Sequence, residues 1–208
     1  CVKNTGKERE IDPDSCVTAD GKGKLAKAKA KTVAIAQRSC TETPDFGYTD
    51  ATTVNDAASG HELSLQTDVF GDSLDSALYT AWIDKRAAYC QAFVAKTYEK
   101  IMGVKLKAFL KCKKDGLKSG YINSQARLEG CFDEIIADPK GKIAKTIAKL
   151  DKTMDKKCGE DEDGYDIDDA FPGTCEGESE FAQCVDTLVE CRVCLMLNAM
   201  DGLSADCD

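Results

Sequence analysis

The sequence predicts an all-α fold of two tandem disulfide-stapled helical repeat units sharing a long central helix. Three observations carry that expectation. Residues 137–158 read as one amphipathic helix, with Ile143, Ile147, Leu150 and Met154 spaced i, i+4, i+7 and i+11 in a single apolar stripe. Lys145, Lys149, Lys152 and Lys156 form a row about half a turn away. Residues 19–40 repeat this design without a gap over 22 positions, sharing Asp20/Asp138, Lys22/Lys140, Gly23/Gly141, Lys24/Lys142, Lys27/Lys145 and Cys40/Cys158. Finally, the 208-residue chain holds 12 cysteines and a single histidine, a composition that reads as a set of disulfides in an oxidising compartment.

Taken in order, residues 1–18 are polar and read as a loop or short turns between Cys1 and Cys16. The first Lys-rich helix follows at 19–40. Pro44, Gly47, Gly60 and many Thr, Ser and Asp make 41–71 a long loop, with His61 as a surface residue. From Asp72 to about Lys114, Leu74, Leu78, Trp82, Ala88, Phe93, Ile101, Val104 and Phe109 keep helical spacing, with Gly103 as a candidate bend and Gly116 and Gly120 as breakers. Residues 121–136 read as another helix and 139–157 as the second Lys-rich one, with Asp138 and Pro139 at its start. An acidic loop at 159–177 leads to a last helix, Phe181–Met200.

A second, weaker alignment sets Phe70 on Phe171 and Cys90 on Cys191 at one offset. With Cys1 and Cys112 each opening a Cys-x-Lys, the units run 1–111 and 112–208. Twelve cysteines allow about ten thousand pairings, and the repeat narrows them. Cys175, Cys184, Cys194 and Cys207 face apolar residues of the first unit, so the pairs Cys175–Cys184 and Cys194–Cys207 belong to the second alone. The rest divide as Cys1–Cys16 with Cys112–Cys131, and Cys40–Cys90 with Cys158–Cys191. Six bridges of roughly 3–4 kcal/mol each would support a core that is thin because it is rich in Ala and Lys.

Charge is unevenly placed. Residues 159–208 carry 15 acidic side chains against Arg192, a net of −14 within a total of −9. Such asymmetry speaks of partners rather than fold. Nucleic acid is disfavoured, because the Lys rows lack interleaved aromatics and the whole chain repels phosphate. No apolar run approaches the ~18 residues that span a bilayer. The chain reads as secreted or cell-surface material whose signal peptide has been removed, beginning at Cys1 either as a bridge partner or as a lipid-modified cysteine.

Candidate chemistry is sparse. Cys191-Arg-Val-Cys194 is a Cys-x-x-Cys, but it lies inside a helix without an adjoining strand, and Leu195 stands where a haem motif needs histidine. His61-Glu62 has no second histidine, so the zincin pattern fails, and no paired zinc ligand set exists. Asp161, Asp163, Asp166 and Asp168 cluster oxygen ligands around Gly164 as hard-cation loops do, without EF-hand spacing. They are the candidate ligands of a weak extracellular calcium site, a plain acidic loop being the alternative.

The segments KLKAFLKCKKDGLKSG, DPKGKIAKTIAKLDKTMDKKCG, AFPGTC and CVDTLVECRVC resemble Cys/Lys-rich helical repeat modules of secreted proteins from myxobacteria-like bacteria. That resemblance implies a disulfide-tied helical module outside the cell and brings no catalytic residues. With no nucleophile–base pair and no phosphate loop, the expected function is non-catalytic. The first expectation is a structural or assembly protein, a subunit of a head-to-tail filament or surface layer. Calcium-dependent adhesion or binding of other surface proteins or polysaccharide is the alternative. Under the alignment, Asp208 corresponds to Lys107, about four positions before the counterpart of Cys1, as if a continuous array had been cut between units.

Overall fold

The computed structural model describes residues 1–7, 12–158 and 167–207, with only the backbone of residue 155. Every regular element among them is a helix. Residues 1–7 hold the short helix α1 (Val2–Thr5), and α2 (Pro13–Ala19) is capped by Asp12, which accepts the Ser15 N–H. Next comes α3 (Lys24–Ser39). The expected loop at 41–71 is instead mostly α4 (Ala51–Phe70), a 20-residue helix. A short α5 (Leu74–Ala77) precedes α6 (Lys85–Ser119), the long helix of 35 residues, which at 1.5 Å per residue is about 50 Å. The expected helix 121–136 is broken into α7 (Gln125–Glu129), a 3₁₀ turn at Gly130–Phe132 and α8 (Asp133–Ala137). Then follow α9 (Lys142–Lys157), a four-residue α10 (Ile167–Ala170) and α11 (Phe181–Asp201).

Local chemistry explains these boundaries. Asp50 accepts the N–H groups of Thr52 and Thr53 and starts α4. Asp84 accepts those of Arg86 and Ala87, each at 2.8 Å, so α6 begins at Lys85 rather than near Asp72. Trp82, expected on the buried stripe of a continuous helix, lies in the preceding turn and is 83% exposed. The helix continues through Gly103 and Gly116 to Gly120, whose φ of 74° ends it in the left-handed cap that favours glycine. Helices α3 and α9 open on the same turn. Asp20 and Asp138 both have left-handed φ, and their carboxylates reach forward to Leu25 and Ala26 N–H in one case, Lys142 and Ala144 N–H in the other.

The core is one cluster centred on α4, α6, α9 and α11. Val185, Val189, Val193 and Leu197 put the apolar stripe of α11 against α4, α6 and α9. Leu65, Val69 and Phe70 of α4 meet it on one side, and Ile143, Leu150 and Met154 of α9 are buried as their spacing predicts. Each such side chain stabilises by about 1.5–3 kcal/mol through burial. Phe70 and Phe171, equivalent under the sequence alignment, have ring centroids 5.6 Å apart. Gln91, 1% exposed, ties the edges together: its Nε2 donates to Ala77 O and Ala170 O, and its Oε1 accepts the Tyr79 N–H.

The turn after α10 approaches the end of α4 closely. Thr174 N–H donates to Asp68 O at 2.7 Å, and a Cβ on Gly173 would stand 2.2 Å from that same oxygen. Backbone cannot swing aside as a side chain can, so Gly173→Ala is expected to destabilise by about 1–3 kcal/mol, read as a lower urea midpoint with unchanged slope. An unaltered midpoint would mean that the turn is free to move off α4.

Five disulfides form: Cys1–Cys16, Cys90–Cys158, Cys112–Cys131, Cys175–Cys184 and Cys194–Cys207. Four are pairs that the spacing predicts. The expected Cys40–Cys90 and Cys158–Cys191 bridges are not made: Cys90 joins Cys158, across the expected boundary at 111/112, and Cys40 and Cys191 are free thiols. The reason is packing, since α9 lies on α6 and brings Cys158 against Cys90, both excluded from solvent. Three bridges therefore lie within residues 1–158 and two within 175–207. Among the described residues, which include all twelve cysteines, no bridge joins the two groups.

Candidate functional site

The most unusual charged group is Lys105. It sits at the centre of the apolar stripe Ile101, Lys105, Phe109 of α6 and is 1% exposed. Its ammonium lies 2.6 Å from Glu190 Oε2 and 3.0 Å from Asp186 Oδ1, both on α11. The Asp186 contact is ionic without a directed hydrogen bond. A second ion pair joins α11 to α4, with Arg192 Nε and Nη2 forking onto the two Asp68 oxygens at 2.5 and 2.7 Å. A third, Lys113–Asp201 at 2.7 Å, ties α6 to the end of α11. These pairs fix the register of α11 between its neighbours; none is arranged around a vacant reacting position. Sequence reading missed Lys105, although a lysine four residues from each of two buried apolar positions is the mark of a buried cation.

His61 lies on α4 rather than in a loop, and it is half-buried. Its Nδ1 has no hydrogen-bond partner, and burial, with the nearby Arg192 charge, lowers its pKa. The next residue on the same helix is Glu62, whose pKa is raised by burial and then by Glu99. An acid with a raised folded pKa binds its proton more tightly when folded. Its favourable contribution is therefore complete below the ordinary glutamate range and is lost as pH rises through the folded value. Glu62→Gln is thus expected to melt higher than the parent at pH 7.5, with the difference vanishing at pH 3.5; equal melting at pH 7.5 would place Glu62 in solvent.

Of the candidate calcium ligands, Asp161, Asp163 and Asp166 lie outside the described residues. Asp168 is in α10, where its Oδ1 accepts the Gly177 N–H at 2.9 Å. Among the described residues no group of three His, Cys, Asp or Glu side chains is placed to hold a metal, and no helix is long and apolar enough to cross a membrane.

Two surfaces stand out. The first is α3. It rests on α4 and buries none of its residues, whereas its sequence counterpart α9 packs on both α6 and α11. Leu25 and Ile35 are 42% and 43% exposed, and Lys24, Lys27, Lys31 and Arg38 surround them with no acidic residue within the helix. The second is a groove of about 310 Å³ between α8 and α11, where Cys191 lies beside Phe132, Ile135 and Ile136 and the acids Asp186, Glu190 and Asp206.

No family model matches the chain, and no curated protein or solved structure matches it either.

Proposed function

We propose that this is a non-catalytic extracellular assembly protein, a disulfide-stabilised subunit that associates head to tail in a filament or surface layer. The observation that carries the reading is α3: a 16-residue helix with no buried residue, built on the pattern that α9 uses to enter the core. The helix rests on α4, and its exposed Leu25 and Ile35 suit a further partner. The acidic segment 159–208, at net −14, is the complement of its lysine row within the same chain, so a second copy brings the matching charge. A heterologous contact of this kind extends into a fibre when its rotation does not close into a ring. The five disulfides suit an oxidising environment.

Light scattering and negative-stain microscopy of native material test this. The expected result is concentration-dependent growth, weakened by salt because the steering charges are screened. A monodisperse 22.5 kDa particle at every salt and protein concentration would refute it.

A further inference from the structure

We propose that Cys40 and Cys191 bond to each other between copies, Cys40 of one chain to Cys191 of the next. The proposal rests on the head-to-tail reading and supplies the covalent link for it. Its basis is the one bridge that crosses the two halves. Cys90–Cys158 ties the long helix α6 to the Lys-rich helix α9. Cys40 occupies on α3 the place of Cys158 on α9, and Cys191 on α11 aligns with Cys90 on α6. The counterpart of the observed bridge is therefore Cys40–Cys191, and these are the two thiols left free.

Within one chain they do not meet. Cys40 is exposed at the end of α3, which rests on α4. Helix α4 in turn packs on α11, where Asp68 forks Arg192, while the neighbouring Cys191 lines the groove shared with α8. That groove suits α3 of a second copy. Ile136 at its edge is 73% exposed and awaits an apolar cover such as Leu25 or Ile35. The charged residues lining it, among those described, are Asp206 with Asp186 and Glu190, which share the single Lys105 ammonium, so the lining keeps a net sign opposite to the α3 row. Charge steers and orients this encounter, and the thiols then fix it.

The chemistry is thiol–disulfide exchange with a small-molecule disulfide such as oxidised glutathione. The exposed Cys40 thiolate attacks one sulfur of the oxidant, forming a mixed disulfide and expelling one small thiolate. The Cys191 thiolate of the second copy then attacks the Cys40 sulfur and expels the other. The two protein thiols give up two protons and two electrons, and the oxidant leaves as two thiols.

The test is oxidation of the native protein in a glutathione redox buffer, followed by non-reducing denaturing electrophoresis, peptide mapping and thiol counting. The expected result is a ladder of multiples of 22.5 kDa containing a Cys40–Cys191 peptide, with free thiols falling towards zero. Cys40→Ser and Cys191→Ser should each give no ladder alone, while their equimolar mixture should give one discrete dimer. A closed, doubly bridged dimer would support the bond and overturn the filament. Assemblies seen by light scattering that retain both thiols would leave the filament standing and overturn the bond. A monomer with a Cys40–Cys191 bridge inside one chain, or with two persistent free thiols, would overturn both. A Cys40–Cys40 dimer in Cys191→Ser would overturn the bond, because it replaces the counterpart pairing.

Discussion

Replacing Lys105 by alanine is expected to cost about 3–5 kcal/mol, because it leaves the buried Asp186 carboxylate without its counter-charge. Desolvation decides the size. The ammonium is 1% exposed and the Asp186 side chain 10%, whereas Glu190 is 51% exposed and water can solvate it once its partner is gone. The uncompensated group is thus Asp186 far more than Glu190. Asp186→Leu added to Lys105→Met should recover most of the loss, since apolar residues of similar volume commonly match or exceed a buried ion pair. Urea titrations of the three forms check this. A loss below about 1 kcal/mol for Lys105→Ala, the range of surface pairs, would show that water reaches the pair.

The second large effect is expected at Cys90–Cys158. A bridge with a sequence separation of 68 removes about 4 kcal/mol of unfolded-chain entropy, against about 2.5–3 for Cys175–Cys184 with its separation of 9. Replacing both cysteines of each pair by alanine and comparing melting under non-reducing conditions gives the ordering directly. The Cys90→Ala/Cys158→Ala form should melt lowest, and its loss includes packing, because both side chains are buried. Equal losses for the two pairs would mean that the unfolded chain is already compact around residues 90–158.

The helical class and the Lys-rich helices were legible because their chemistry is local. In α9 the apolar stripe and the Asp138-Gly141 start each lie within a few residues of what they control. Short bridges such as Cys1–Cys16 and Cys112–Cys131 were legible for the same reason. Helix α4 was not. Its Thr, Ser, Asn and Gly60 have poor helix propensity, and what holds it is the long face it shares with α11, more than a hundred residues away. Lys105, Arg192 and His61 were hidden in the same way, because burial of a charged residue depends on which helix covers it. The Cys90–Cys158 pair escaped because bridges were expected to close within residues 1–111 and 112–208, whereas α9 packs on α6. Of the candidate site, the twelve cysteines were visible as a framework, but the two that stay free could be identified only from where α3 and α11 lie.

The separation of the bridges into two groups sets how a subunit bears tension. In the proposed array, load enters at Cys40 and leaves at Cys191. No disulfide crosses from residues 1–158 to residues 175–207, so the covalent path runs through the single backbone strand between Cys158 and Cys175. In parallel stand the faces of α11 on α4, α6 and α9, with the Asp68–Arg192 fork and the Lys105 and Lys113 ion pairs. Packed helices slide at forces far below those that break a covalent bond, and resistance to pulling follows the unfolding rate of the weakest contact. Each subunit would act as a triply stapled block joined to a doubly stapled one by a yielding seam, giving a fibre that stretches where α11 meets α4, α6 and α9 before any link parts.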